Sequence, residues 1–194
     1  MSFRVLHVCT GNICRSPIAE HLMRAGLDSR LGGGEHPFVV ASAGTWGHEG
    51  SPMEDDAHST LASYGIDGSG FRARELATQD VQDADLVLAA TREHRAAAVV
   101  LHPRAAAHTF TLLEFARLLT AVDPAELPGG DLEERARAVV RGAASKRGIV
   151  RPPTPDDDDL SDPYHAPASA FTLCAQRVQA ALVLPMDLLA GRLG

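Results

Sequence analysis

Cys9-Thr10-Gly11-Asn12-Ile13-Cys14-Arg15-Ser16 decides how the rest of this chain is read. The stretch follows an apolar run, Phe3 to Val8, and leads into a helical pattern that opens at Ser16-Pro17 and continues through Ile18, Leu22, Ala25 and Leu27. A strand, a tight loop and a helix N-terminus form an anion cradle, because loop N–H groups and the positive end of the helix dipole converge on one point. A cysteine opens the loop and an arginine closes it, with five residues between. The helix N-terminus and Arg15 are expected to favour the nucleophilic thiolate of Cys9. The planar guanidinium of Arg15 can fork onto two oxygens of a tetrahedral anion. Gly11 allows a close backbone approach or positive φ, and Asn12 is one of the few non-glycine residues that tolerate αL. Ser16 is placed to hydrogen-bond the thiolate or cap the helix, with Pro17 suited to its first turn. The competing reading is an inert cysteine beside an unrelated arginine. It leaves the Gly, Asn, Ser and Pro around them unexplained.

The run Val8 to Glu20 resembles the signature of the low-molecular-weight protein tyrosine phosphatases. Ser42-Ala43-Gly44-Thr45, Ala84-Asp85-Leu86-Val87-Leu88 and Asp162-Pro163-Tyr164 match further motifs of that family, in its order. The resemblance leaves out roughly residues 120–160. It implies that Cys9 attacks phosphorus, that Thr10 to Ser16 hold the phosphate, and that Asp162 is the general acid and then the base. It also implies that Ser42 supports the loop asparagine, and that Ile13, Trp46, His48 and Tyr164 line the substrate cleft. A packing role for Trp46, a plain turn role for Ser42 and a mere lid contact for Tyr164 are the alternatives. Several family members carry a histidine that braces the loop asparagine three residues before the arginine matching Arg74. Here that position is Phe71. Asp156 to Asp159 rival Asp162 on composition alone; as neighbours they also favour the protonated form that an acid needs. Cys14, five residues from Cys9 around the loop, is a candidate redox partner for it.

Composition is compatible with this. The 194 residues suit one domain, read as 1–194 with a variable insertion around 122–160. No apolar stretch is long enough for a membrane helix, and the first residues lack a signal pattern. Three cysteines, an odd number, argue against a disulfide framework and for a reducing, cytoplasmic setting. A net charge of −7 argues against general nucleic-acid binding. No Cys, His and carboxylate cluster has metal-ligand spacing, and no metal or cofactor is expected, since the loop supplies the positive charge. The expected partners are a phosphotyrosine protein or peptide and inorganic phosphate or other oxyanions. A monomer is the expected state.

Periodicity predicts strands at Phe3–Val8, Phe38–Ala41, Ala84–Ala90 and Thr109–Thr111. Helices are predicted at Ser16–Leu31, Pro52–Tyr64, from Thr91 through Leu101, and at Leu112–Ala121. Four β-α units with right-handed crossovers give an α/β fold: a small parallel sheet covered on both faces, flavodoxin- or Rossmann-like, of the phosphotyrosine phosphatase I type that the resemblance implies. Asp131, with Glu134 three residues on, predicts a capping box on a helix whose arginines lie off its apolar side. Pro152-Pro153-Thr154-Pro155 and the four aspartates after it predict a mobile segment. A last helix spans Ala168 to Leu189, with Pro185 dividing or ending it.

The reading is a phosphomonoester hydrolase working through phosphocysteine on protein phosphotyrosine. A protein-arginine phosphatase on the same scaffold is the alternative, because the His94 segment and Thr109-Phe110-Thr111-Leu112 resemble that branch. A thiol-linked arsenate reductase needs more cysteines, and this chain has none between Cys14 and Cys174. A non-catalytic phosphopeptide-binding module would need neither nucleophile nor acid.

Overall fold

The computed structural model describes residues 2–193. Four parallel strands, β1 (Phe3–Cys9), β2 (Phe38–Gly44), β3 (Leu86–Ala89) and β4 (Thr109–Thr111), form one sheet in the order β2-β1-β3-β4. The helices are α1 (Arg15–Leu31), α2 (Asp55–Ser63), α3 (Thr78–Asp83), α4 (Arg92–Leu101), α5 (Leu112–Leu119), α6 (Leu132–Ser145) and α7 (Ala168–Leu189). This is the expected α/β architecture.

Strand alternation sorts the core into two layers. Phe3, Val5 and Cys9 of β1 join the larger cluster with residues of α1, α2, α5, α6 and α7, whereas Leu6 and Val8 face the smaller one with Val81 and Ala98 of α3 and α4. Apart from the exposed Arg4, β1 is buried on both faces, which is why apolar residues fall at both odd and even positions along it. Between β1 and β3 the chain order reverses, and the loop after β1 lies at the carboxyl edge of that switch point, where folds of this kind bind ligands. No helix among the described residues is long and apolar enough to cross a membrane.

Several local expectations are corrected. β2 does not stop at Ala41 but pairs with β1 through Cys9↔Gly44, carrying Ser42 to Gly44 beside the loop. Asp131 caps α6 by accepting from the N–H groups of Glu133 and Glu134, without the return bond of a capping box. Arg135 is not on a solvated face. It is buried, and its guanidinium donates to the carbonyls of Leu188 (2.7 Å) and Leu193 (2.6 Å), in and just past the last turn of α7, and to that of Pro128 (3.1 Å) in the loop before α6. The aspartate run is held rather than loose. Pro155–Asp158 forms a 3-10 turn, Asp156 and Asp159 pair with Arg92, and Asp158 pairs with Arg117. Their charge is thus directed at arginines rather than at Asp162. Pro185 neither divides nor ends α7, which runs on to Leu189.

Candidate active site

The loop between β1 and α1 is gripped from one side by the end of β2. Thr45 N–H donates to Cys9 O at 2.9 Å and Trp46 N–H to Thr10 O at 3.0 Å. A Cβ on Gly44 would stand 2.5 Å from Thr10 O and 2.9 Å from Asn12 N, so only glycine lets the two backbones meet. Asn12 adopts φ 55°, the left-handed turn its side chain tolerates, and is fully buried. Its amide is bonded on both sides. Nδ2 donates to Ser42 Oγ (2.7 Å) and Ser16 Oγ (2.9 Å), and Oδ1 accepts from Arg74 N–H (3.0 Å). A satisfied, buried amide fixes the loop's curvature. Ser42 is thus in direct hydrogen-bond contact with the loop asparagine.

The brace behind Ser42 is a residue that the sequence reading missed. Ser42 Oγ donates to Glu20 Oε2 at 2.5 Å, and Glu20, buried on α1, is paired in turn with Arg24. Phe71, at the position of the family's histidine, packs edge-on against His21 with ring centroids 5.8 Å apart. Glu20 closes the run that resembles the family signature, but its i,i+4 spacing to Arg24 reads equally well as a surface pair.

Cys9 lies at the floor, buried, with Sγ 2.9 Å from Ser16 Oγ. Ser16 is committed to this bond and to Asn12. It does not cap α1, whose N-cap is Cys14 with no side-chain bond. The N–H groups of Gly11, Asn12, Ile13 and Cys14 meet no backbone or side-chain acceptor among the described residues. They are donors at a helix N-terminus, suited to an oxyanion. Gly11 does not use positive φ; its role is space, because a Cβ there would stand 2.8 Å from His48 Cδ2.

Arg15 is buried at 5% exposure. Nη1 donates to Leu160 O (3.2 Å), and Nη2 donates to Thr10 Oγ1 (3.1 Å) and Asp162 Oδ2 (2.6 Å). Its Nε is buried with no protein partner. With Nε unpaired and only one of the two Nη1 hydrogens used, the buried guanidinium keeps two N–H donors free, and Arg15 lines the cleft. Asp162 is half exposed, and its Oδ1 accepts from Tyr164 N–H at 3.1 Å, which sets the turn that carries Tyr164.

A second contact on the loop also escaped the sequence reading. His94 Nε2 lies 2.8 Å from Thr10 Oγ1, and His94 Nδ1 lies 2.7 Å from Thr91 Oγ1. Burial first, then the positive charge of Arg15, pushes His94 down to about 4. The sequence marked His94 only by the likeness of its segment to the arginine-phosphatase branch and by its place three residues past Thr91, which gave it no role at the loop.

One cleft of about 100 Å³ brings most of the predicted residues together, while Asn12, Ser16 and Ser42 are buried and do not line it. Cys9, Thr10, Gly11, Ile13, Cys14, Arg15, Trp46, His48, Asp162 and Tyr164 line it. Trp46 is 69% exposed, so it is a wall residue rather than core packing. His48 stands edge-on to both Trp46 (6.3 Å) and Tyr164 (6.2 Å), linking the two walls above Gly11. The three cysteines are unpaired and buried. Burial first, then the charge of Cys9, raises the pKa of Cys14, and burial pushes Cys174 up to about 12.

Comparison with known proteins agrees with this geometry. The chain is 35% identical over 185 residues to a low molecular weight protein-tyrosine-phosphatase of Streptomyces coelicolor, covering 93% of this chain and 90% of that one. It is 38% identical over 133 residues to a protein-arginine-phosphatase of Geobacillus stearothermophilus, covering 69% and 84%. The crystal structure of the low molecular weight protein tyrosine phosphatase from T. tengcongensis superposes with a TM-score of 0.68 at 30% identity, covering 96% of this chain and 99% of that one. Residues 4–139 match the family model for low molecular weight phosphotyrosine protein phosphatase. With that match spanning most of the chain and the Streptomyces relative covered over nearly its whole length, the chain belongs to the low molecular weight phosphotyrosine protein phosphatase family.

Proposed function

We propose that the protein hydrolyses phosphotyrosine in proteins or peptides through a phosphocysteine intermediate. The observation that carries this is the convergence of Cys9 Sγ, the Arg15 guanidinium and the Asp162 carboxyl on one cleft. In this reading the Cys9 thiolate attacks phosphorus while the ester P–O bond breaks. The carboxylic acid form of Asp162 gives its proton to the leaving phenolate oxygen. Asp162, now a carboxylate, then takes a proton from water as that water attacks phosphocysteine, which releases inorganic phosphate and the thiolate. Loop N–H groups and Arg15 hold the equatorial oxygens throughout, and tightest where charge peaks. Asp162 must leave Arg15 for each turnover, and its half-exposed position allows this.

A parent protein that hydrolyses a chromogenic aryl phosphate separates this reading from a phosphopeptide-binding module. Cys9→Ser is expected to lower kcat by about 10⁴-fold or more while phosphate still binds, because the cradle is mostly backbone. Arg15→Lys is also expected to be severe, since an ammonium cannot reproduce the fork. Substantial turnover by Cys9→Ser would overturn the covalent route.

A second reading, hydrolysis of phosphoarginine, is supported by the Geobacillus relative. Against it stands Ile13, 6% exposed on the cleft wall beside Trp46, His48 and Tyr164. A branched apolar side chain suits an aromatic ring. A guanidinium desolvated against it without a partner costs on the order of 1–3 kcal/mol. Phosphotyrosyl peptides are therefore expected to be preferred over phosphoarginyl ones, with Ile13→Thr moving the ratio towards phosphoarginine. A parent protein that already favours phosphoarginine would reverse the assignment.

A further inference from the structure

Thr10 Oγ1 stands between two side-chain nitrogens, Arg15 Nη2 at 3.1 Å and His94 Nε2 at 2.8 Å. A guanidinium only donates, so Thr10 accepts from Arg15. On the other side of the ring, His94 Nδ1 is 2.7 Å from Thr91 Oγ1, and Thr91 caps α4 by accepting from His94 N–H at 3.4 Å. Whichever ring nitrogen carries the proton, the imidazole spans the two hydroxyls. The chain Arg15, Thr10, His94, Thr91 thus anchors the guanidinium to the first turn of α4.

This anchor matters because of what Asp162 has to do. Arg15 Nη2 has two side-chain acceptors, Thr10 and Asp162. When Asp162 leaves to act as acid, Thr10 remains on Nη2 and Leu160 O on Nη1. Thr10 is exposed, and an unrestrained threonine hydroxyl has several staggered positions. His94 is buried at 7% exposure and locked at both ring nitrogens, so it can hold Thr10 in one of them. The charged groups acting on it are Arg15, Asp162 and Asp159, the last of which is paired with Arg92 of its own helix. Burial and Arg15 keep the imidazole neutral, which spares the cleft a second cation against the guanidinium.

We propose that His94 is a positioning residue which, through the Thr10 hydroxyl, fixes the Arg15 guanidinium while Asp162 is released from it. The proposal rests on the phosphatase reading. It concerns chiefly the transition state, where Arg15 holds tightest in that reading, since in ground-state binding the backbone N–H groups share the phosphate oxygens with Arg15.

Two substitutions separate this role from mere capping of α4. In glutamine the terminal amide reaches roughly the place of Nε2 and can bond Thr10. In asparagine it reaches only the place of Nδ1 and can bond Thr91. His94→Asn and His94→Ala are expected to lower kcat for an aryl phosphate by about 10- to 100-fold, with KM and the affinity for inorganic phosphate changed by less than about 3-fold. His94→Gln is expected to recover most of the loss. Thr10→Val should match His94→Asn, and adding His94→Asn to Thr10→Val should cost little more, because both act through one hydroxyl. If His94→Gln is as impaired as His94→Ala, or if the Thr10 and His94 losses multiply, the coupling is wrong. If the His94 variants do not fold in thermal melts, Thr10→Val against Thr10→Ser decides, and equal activity of those two overturns the proposal. A parent protein without turnover overturns the phosphatase reading and this proposal together. Full turnover in both the parent and His94→Asn overturns this proposal alone.

Discussion

Arg15 Nη2 and Asp162 Oδ2 lie 2.6 Å apart, joining the cradle's buried cation to the carboxyl proposed as the acid. The pair brings together two residues 147 positions apart in the chain. In this arrangement Asp162 occupies a donor that a phosphate oxygen would also use. Substrate and Asp162 therefore compete for Arg15, and binding itself frees the acid. Asp162→Asn is expected to lower kcat about 10²- to 10³-fold for substrates with poor leaving groups, and much less for activated aryl phosphates. Rates across a leaving-group series check this, and an equal loss at every leaving group would show that Asp162 is not the proton donor. Full activity would turn attention to Asp156–Asp159, although those carboxylates face Arg92 and Arg117.

Ser42 and Glu20 should control the shape of the loop without touching substrate. Ser42→Ala removes one acceptor of the buried Asn12 amide and leaves Glu20 Oε2 without its hydroxyl. A loss of about 1–3 kcal/mol in stability is expected, since both stranded groups are buried. Phosphate affinity should fall with it. Denaturant unfolding with and without phosphate measures both, and an unchanged midpoint would mean that the network is idle.

Cys9 is expected to oxidise before Cys14, because burial and the neighbouring Cys9 keep Cys14 a protonated thiol. Peroxide would convert the Cys9 thiolate to sulfenic acid. The Cys14 sulfur can then displace water to form a disulfide, a step that needs its thiolate and so speeds up as pH rises. Reactivation by added thiol is expected to be nearly complete in the parent and much weaker in Cys14→Ser. Equal recovery in both would remove Cys14 from this role.

Stability should fall on acidification well before the carboxylates titrate. His7 is fully buried beside Met23 Sδ at 3.3 Å, and burial pushes it down to about 3, while His94 is pushed down to about 4. Unfolded histidines titrate near 6.5, so between that pH and these values the unfolded chain binds more protons. Unfolding is therefore favoured as pH drops from about 6.5 towards 4. Asp67, Asp131, Asp157 and Asp159, whose pKa values are lowered, add their losses only below the ordinary carboxylate range. His7→Leu should flatten the part of this slope that His7 contributes. Denaturant midpoints across pH 4–7 check it, and an unchanged slope would assign the loss elsewhere.

The sequence by itself determined the local parts. The apolar run of β1, the Cys9-to-Arg15 spacing, the glycine and asparagine between them and Pro17 in the first turn of α1 are all short-range chemistry. A loop of seven residues can be read from its own members. The parallel sheet was legible too, because strands buried on both faces leave unbroken apolar runs between helical ones. Tertiary structure alone decided what holds these parts. Glu20 braces Ser42, His94 reaches Thr10 across 84 positions, and Arg135 ends as a buried partner for the carbonyls closing α7. The aspartates after Pro155 read as loose and proved to be tied to Arg92 and Arg117. For Glu20, His94 and Arg135, all buried, the deciding term is the desolvation of a polar group. Its cost depends on which distant atoms come to lie beside it, and a pattern of neighbours along the chain does not contain that information.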